Sequence, residues 1–166
     1  KDRVVIGRWS AKFTGGMNLT LKYKNFTLFA MLTGQFGGNA IKNDTYNWVY
    51  GERKYSDVVL GAWTESRYKN GESITYPRLT TQSGDNNFNT SDYWMYSTDR
   101  IDLSRVQLTY DFSKSLFGDK ALVKGLQVYV NGSSLLTIAG ERKQMERNVD
   151  SAPQTRSFTI GAKVEF

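Results

Sequence analysis

Aromatic residues cluster in one long stretch of the chain, residues 38–100, with asparagine and aspartate between them. Aromatic rings offer large flat faces for contact with a sugar ring, and neighbouring amides and carboxylates can hydrogen-bond hydroxyl groups. This combination is typical of a binding surface. The side chains that we expect to contact a ligand are Trp48, Trp63, Tyr93, Trp94 and Tyr96. Ordinary packing within the stretch is the alternative.

Metal binding and catalysis find little support in the same region. The motif DNNFNTSD places Asp85, Asn87 and Asn89 at positions 1, 3 and 5 of a calcium loop. Thr90 and Tyr96 stand at positions 6 and 12, where glycine and glutamate are needed, so we expect a solvated turn. The chain has no Cys and no His, and no pair of carboxylates has a spacing that fixes a hydrolytic geometry. We therefore predict no enzyme, no catalytic residue, no metal and no cofactor.

Composition favours strands joined by turns. The 166 residues include 15 Gly and 2 Pro, and 14% of them are aromatic. The net charge is +6, but the basic residues are scattered, so we expect no nucleic-acid partner and a surface near anionic lipid explains the charge equally well. No apolar stretch approaches the ~18 residues of a transmembrane helix, so that element is excluded.

Five segments alternate between apolar and polar residues with a period of two, which predicts strands. Their approximate bounds are residues 12–24, 26–37, 101–113, 126–139 and 156–166. Lys24 and Asn25 form the whole link between the first two, which predicts a two-residue hairpin turn with Asn25 suited to positive φ. Ile101 and Leu103 are out of phase with the residues from Val106 onward, so a β-bulge near Ser104–Arg105 or a later strand start is expected.

The apolar faces of these segments carry no charge at any of 28 positions, whereas the opposite faces carry lysine, arginine, aspartate and glutamate. Strands of soluble sandwiches average ~5–6 residues, and these segments are about twice as long. An 11-residue strand tilted by ~45° spans ~26 Å of height, close to the ~25 Å apolar band of an outer-membrane barrel. Short links on one rim and long loops on the other, about 38–100 and 140–155, fit such a barrel.

Three motifs carry a resemblance to a known family: RIDLSRVQLTYDFS (100–113), LQVYVNGSSLLT (126–137) and RSFTIGAKVEF (156–166). Together with DRVVIGRWSAKFTGGMNLTLKYKNFTL (2–28), they resemble the C-terminal end of SusC/RagA-family TonB-dependent outer-membrane transporters. The resemblance implies an all-β, antiparallel transmembrane barrel segment. In this interpretation residues 1–166 are the C-terminal part, the last five strands of a 22-stranded barrel, with one very long extracellular loop.

The resemblance also implies a function and partners. Such proteins lie in the Gram-negative outer membrane, among lipid and lipopolysaccharide, and import glycan fragments or peptides. They work beneath a SusD-like surface lipoprotein, which acts as a lid that the loop aromatics would touch, and they contact the TonB complex through N-terminal parts that this chain lacks. The terminal strand resembles the signal read by the barrel assembly machinery and would close the barrel. Its signal residues would be Phe158, Ile160, Val164 and Phe166.

Two alternatives stay open on the sequence alone. A soluble carbohydrate-binding β-sandwich would use the same aromatic residues on a folded surface. An outer-membrane barrel that does not depend on TonB, such as a porin or an adhesin, would share the alternating strands. The loop aromatics could also form an interfacial girdle rather than a binding surface.

Overall fold

The computed structural model describes residues 3–81, 86–112, 122–147 and 153–166. The strands are β1 (Phe13–Tyr23), β2 (Phe26–Phe36), β3 (Asn39–Ile41), β4 (Met95–Ser97), β5 (Arg100–Asp111), β6 (Gly125–Ile138) and β7 (Ser157–Glu165). Two short α-helices are α1 (Glu65–Lys69) and α2 (Arg142–Met145), and 3₁₀ turns occupy Asp57–Gly61, Asn86–Phe88 and Asp92–Trp94. Within these described ranges, no helix combines the length and the hydrophobicity that a membrane span requires.

The five long strands form one antiparallel sheet in the order β1-β2-β5-β6-β7, while β3 and β4 pair separately. The predicted antiparallel arrangement of five strands is therefore confirmed. Ser113, where the third predicted segment ends, lies outside the described residues. That the long loops face the cell exterior remains a prediction.

A two-residue turn at Lys24–Asn25 joins β1 to β2, as the register of the apolar positions predicted. The residue with positive φ is Lys24, at 50°, not Asn25. Asn25 instead bridges to the neighbouring strand β5, because its side-chain amide donates to the Asp111 carbonyl at 2.7 Å. Its own carbonyl accepts from the Asp111 amide at 2.9 Å, so Asn25 closes the end of the sheet.

The strand register places apolar residues in one row across all five strands and mainly polar residues in the next row. One central row of directly paired residues consists of Leu21, Leu28, Leu108, Val130 and Ile160. The adjacent row, on the opposite face, consists of Thr20, Phe29, Gln107, Asn131 and Thr159. We call these two surfaces the apolar face and the polar face of the sheet, because paired residues point to the same side.

A β-bulge keeps the apolar and polar faces aligned in the first half of β5, before Arg105. Met31 pairs with Arg105 and Leu32 pairs with Leu103, so Ser104 is an extra residue relative to β2. The extra residue shifts the phase by one, which brings Ile101 and Leu103 onto the same face as Val106. The bulge predicted near Ser104–Arg105 is thus confirmed. β6 adds a further residue opposite Ser104, where Ser134 adopts a left-handed φ of 55°.

The apolar face lies open in this chain. Leu21 is 53% exposed, Val130 46% and Ile160 77%. The accessible surface totals 12496 Å², whereas a compact soluble protein of this length would expose about 8,300 Å². A soluble β-sandwich would cover this face with a second sheet, and the described residues contain no such layer.

The buried apolar side chains of the described residues all belong to the stretch between β2 and β5. They are Val49, Ala62, Tyr76, Phe88 and Trp94. This stretch, which we call the cap, is folded around its own core and is tied to the sheet through β3 and β4. The sequence predicted one long loop here, with ordinary packing of its aromatic residues as the alternative to ligand contact, but not which residues form the core.

Two adjacent positions of β6 test the assignment of the apolar face to lipid. Val128 pairs with Tyr110 and Ala162 on the apolar face. Val128→Arg should cost about 2 kcal/mol of barrel stability, because a charge is expensive on a lipid-facing surface. The measurement is the folded fraction of the complete protein in membranes, read from its heat-sensitive mobility on gels.

The matched control is Gln127→Arg, on the polar face of the same strand. Gln127 already donates to an Asp111 carboxylate oxygen at 2.6 Å, and arginine preserves that donor. Its folded fraction should stay near that of the unaltered protein. Equal losses from the two variants would contradict the lipid assignment.

Candidate functional site

The centre of the cap is a cluster of aromatic rings. Trp94 stacks on Phe88 at 6.0 Å between ring centroids, and Trp48 and Tyr76 meet Trp94 edge-on at 6.1 and 5.9 Å. The Trp94 indole N–H donates to the Asn87 carbonyl at 2.8 Å. Trp94 is only 3% exposed, so its ring faces are occupied by neighbours and its role in this structure is packing.

Tyr76 connects this cluster to the backbone of the cap. Its buried hydroxyl donates to the Asn47 carbonyl at 2.7 Å and accepts from the Val49 amide at 3.0 Å. Burial raises the pKa of Tyr76 above its ordinary value, and the bond from Val49 opposes that shift more weakly. The neutral phenol is therefore the form that the fold stabilises.

A groove of about 560 Å³ opens on the surface above the cluster. Trp63 and Tyr93 flank it and remain 38% and 52% exposed, while buried Trp94 forms part of its floor. The Tyr93 ring stands at 84° against Trp94, and its hydroxyl donates to the Thr75 carbonyl at 2.8 Å. Partial burial raises the pKa of Tyr93, so this hydroxyl is neutral at physiological pH. We call this feature the aromatic groove.

The structure brings together three of the five aromatic residues that the sequence singled out, namely Trp63, Tyr93 and Trp94. Trp48 lies behind them in the core, and its buried indole N–H has no acceptor among the described residues. Tyr96 is half-buried on β4, with the Lys42 ammonium 5.9 Å from its ring centre. Burial, followed by the charges of nearby acids, raises the pKa of Tyr96. Contact of any of these residues with a substrate stays a prediction.

Sequence reasoning missed the polar wall of the groove. Its polar residues are Arg78, Asn86 and Asn87, and Pro77 lies beside Arg78 in the same lining. Arginine and asparagine side chains carry hydrogen-bond donors, and such donors beside an aromatic surface are typical of binding sites. The nearest signal in the sequence is the Tyr-Pro-Arg triplet at 76–78, which no pattern distinguishes from an ordinary turn.

A hydrogen-bonded clip joins the cap to α2, which follows β6. One Asp44 oxygen accepts from the Gln144 side-chain amide at 2.9 Å, and the same carboxylate accepts from both the backbone and the side chain of Asn47. The side-chain oxygen of Gln144 accepts from the Arg147 guanidinium at 3.0 Å. Residues about 100 positions apart are thereby fixed together, so the two long connections on this rim form one unit.

The residues that the structure describes give no support for a calcium site at the DNNFNTSD motif. Asp85, its first position, lies outside the described residues. Within the described part of the chain, no group of three or more acidic side chains is placed to hold a metal ion.

The side chains suggested as an assembly signal lie on the apolar side of β7. Phe158 and Ile160 are open to the surroundings, and Val164 and Phe166 are also exposed. They continue the apolar rows of the sheet, since Phe158 pairs with Gly132 and Ile160 with Val130. Their role in assembly stays a prediction.

Comparison with known proteins supports the interpretation of the sheet. No family model matches the chain. The chain is 22% identical over 185 residues to TonB-dependent receptor P3 of Formosa agariphila, a match that covers 99% of the chain and 17% of the relative. It is 24% identical over 183 residues to TonB-dependent receptor P39 of the same organism, again covering 99% and 17%.

Solved structures of a related transporter also match the fold of the chain. The RagAB peptide importer in its open-open state matches with a TM-score of 0.73 and 26% identity, covering 98% of this chain and 18% of that chain. Its closed-closed state matches with a TM-score of 0.71 and 23% identity, covering 92% and 17%. The resemblance to the barrel of a SusC/RagA-type TonB-dependent transporter is therefore confirmed. The chain spans about 17% of the length of the curated relatives it matches.

The buried Tyr76 hydroxyl gives a test of the cap. Tyr76→Phe leaves the Asn47 carbonyl and the Val49 amide without a partner, which should destabilise the cap by about 2 kcal/mol. Tyr93→Phe is the control, because its exposed partner carbonyl can bond water instead. Cleavage of the cap by subtilisin at increasing urea concentration measures both effects, and equal midpoints for the two variants would contradict this role.

The same assay gives a pH dependence. Because burial raises the pKa of Tyr76 in the folded cap, the unfolded cap loses the phenol proton first as pH rises. The stabilisation is complete below pH ~10, the ordinary tyrosine pKa, and is lost as pH rises through the higher folded pKa. Tyr76→Phe should remove this loss of stability above pH ~10, and an unchanged pH dependence would contradict it.

Proposed function

We propose that this chain is part of a TonB-dependent outer-membrane transporter of a Gram-negative bacterium that imports peptides or glycan fragments. The observation that carries this proposal is the five-stranded sheet with an exposed, uncharged apolar face, which superimposes on part of a peptide importer. Proton-motive energy would reach the transporter through the TonB complex, which contacts parts of the protein outside this chain.

The sheet gives the proposed transporter a direction. Outer-membrane barrels have short periplasmic turns and long outer loops. The two-residue turn at Lys24–Asn25 would therefore face the periplasm, and the cap with α2 would face the cell exterior. The polar face, with residues such as Arg105 and Gln107, would line the interior of the barrel.

A SusD-like surface lipoprotein is the proposed partner of the cap. In the proposed orientation the cap lies outside the cell, where substrate or the lipoprotein would reach the exposed Trp63 and Tyr93 of the aromatic groove. Aromatic faces beside Arg78 suit a peptide or a sugar, since both combine apolar surface with hydrogen-bonding groups. Lipid and lipopolysaccharide would cover the apolar face.

The outward side chains of β7 are the proposed recognition surface for the barrel assembly machinery. The support is their exposure in a regular row, with Phe158 and Phe166 each 71% exposed. Phe166→Asp should stall insertion, whereas Phe166→Tyr should assemble normally. Normal surface levels of the aspartate variant would remove this role.

Trypsin applied to intact cells tests the orientation. Arg53 and Lys54 lie in an exposed part of the cap, so cleavage there should occur without permeabilisation. Lys22 and Lys24, at the opposite end of the sheet, should be cut only after the outer membrane is opened. Peptide mapping of the fragments gives the cleavage sites, and the reverse pattern would overturn the orientation.

Uptake measurements test the aromatic groove. Trp63→Ala combined with Tyr93→Ala should lower uptake of the transported peptide or oligosaccharide several-fold at equal surface levels, because two exposed ring faces are lost. Tyr68→Ala is the control, since Tyr68 is 70% exposed on α1 and does not line the groove. If the double variant and the control transport equally well, the groove has no part in import.

A further inference from the structure

A second cavity, distinct from the aromatic groove, lies on the polar side of the sheet near its outer end. Its volume is about 560 Å³. The walls come from the outer ends of β2, β5 and β6, from α2 and from residues 153–156 just before β7. It therefore opens toward the proposed barrel interior, beside α2, the helix that the clip joins to the cap.

Among the described residues, the walls of the cavity carry three arginines and two carboxylates, which leaves one net positive charge on that part of the lining. The arginines are Arg100, Arg142 and Arg156, and the acids are Asp102 and Glu146. Arg156 is exposed and has no hydrogen bond or ion pair with the described residues. A surplus cation without a protein partner is a natural position for an anionic ligand group.

Each of the two acids contacts the Nε atom of one arginine. Nε of Arg100 lies 3.1 Å from an Asp102 carboxylate oxygen, and Nε of Arg142 lies 2.7 Å from a Glu146 oxygen. Asp102 is itself fixed by the Thr137 hydroxyl, which donates to it at 2.6 Å. Each guanidinium is thus anchored at its inner nitrogen, so the two outer nitrogens remain to form the end-on, two-pronged pair with a carboxylate.

We propose that this cavity binds the carboxylate group of the imported substrate, an assignment that rests on the proposed import function. The single surplus positive charge of the described lining residues matches a monoanion, whereas a doubly charged phosphate would lie against Asp102 and Glu146 with too little compensation. The volume admits a ligand of two or three residues or sugar units. The source of the carboxylate is either the C-terminus of a peptide or a uronic acid in a glycan.

Matched ligand pairs distinguish the two sources. Trialanine and its C-terminal amide differ only in the peptide carboxylate, and trigalacturonate and its full methyl ester differ only in the sugar carboxylates. Calorimetry with the complete purified transporter should show at least tenfold tighter binding for the acid of one pair, and that pair identifies the source. Equal binding within both pairs overturns the carboxylate site.

Variants of the cavity arginines test whether the preference for the acid ligand arises in this cavity. Arg156→Gln leaves no acid without its partner, and it should reduce the acid-over-neutral preference at least fivefold while binding of the neutral ligand stays the same. Arg142→Gln should reduce the preference further, because Glu146 then repels the ligand. Lys54→Gln removes the same unit of charge from the exposed cap and should change nothing. A preference that survives both arginine variants overturns the proposal.

Uptake in cells separates this inference from the proposed function. Import that continues with equal rates for the acid and neutral ligands overturns the carboxylate site and leaves the transporter assignment intact. Import that is indifferent to deletion of the complete gene overturns both. A loss of uptake confined to the acid ligand in Arg156→Gln cells supports both.

Discussion

The need to pair every strand while keeping two chemically opposite faces apart governs this structure. In hydrocarbon, unpaired backbone groups cost several kcal/mol each, so the strands cannot separate to correct a wrong face. A one-residue slip would turn Ile101 and Leu103 inward and expose Arg100 and Asp102 to lipid. A lipid-facing arginine costs ~2–4 kcal/mol at the bilayer midplane and less toward the interfaces, so the bulge at Ser104 keeps Arg100 and Asp102 off the side where their charges would be penalised.

The bulge also links the fold to the interior chemistry. Ser104 and the left-handed Ser134 face one another where β5 and β6 are locally out of step, and both line the arginine cavity. Bulges bend a strand and re-aim its side chains. The irregularity that keeps apolar residues on the outer face therefore places Arg100 and Asp102 at the rim of the cavity.

The sheet was predictable because its signal is local, whereas the cap and the cavity depend on distant contacts. Period-two alternation and the phase slip before Val106 can be read within a dozen residues. Nothing comparable orders the cap, where Trp48 packs against Phe88, 40 positions later in the chain, and Trp94 packs against Tyr76, 18 positions earlier. The cavity arginines looked scattered because they are 14 to 56 positions apart and meet only after β6 pairs with β5.

The apolar face of the sheet is exposed and is not covered by the cap, which explains why the cap has its own core. A loop on a soluble protein can pack on an apolar sheet, but here the cap leaves the apolar face open, and that face is the one that the proposed barrel would turn toward lipid. The cap must therefore stabilise a segment of about sixty residues with its own side chains, a size at which small cores are marginal. Large aromatic side chains give the most burial per residue, so many of them are committed to packing. Those left at the surface beside a cavity, Trp63 and Tyr93, are consequently better candidates for ligand contact than aromatic content alone would indicate.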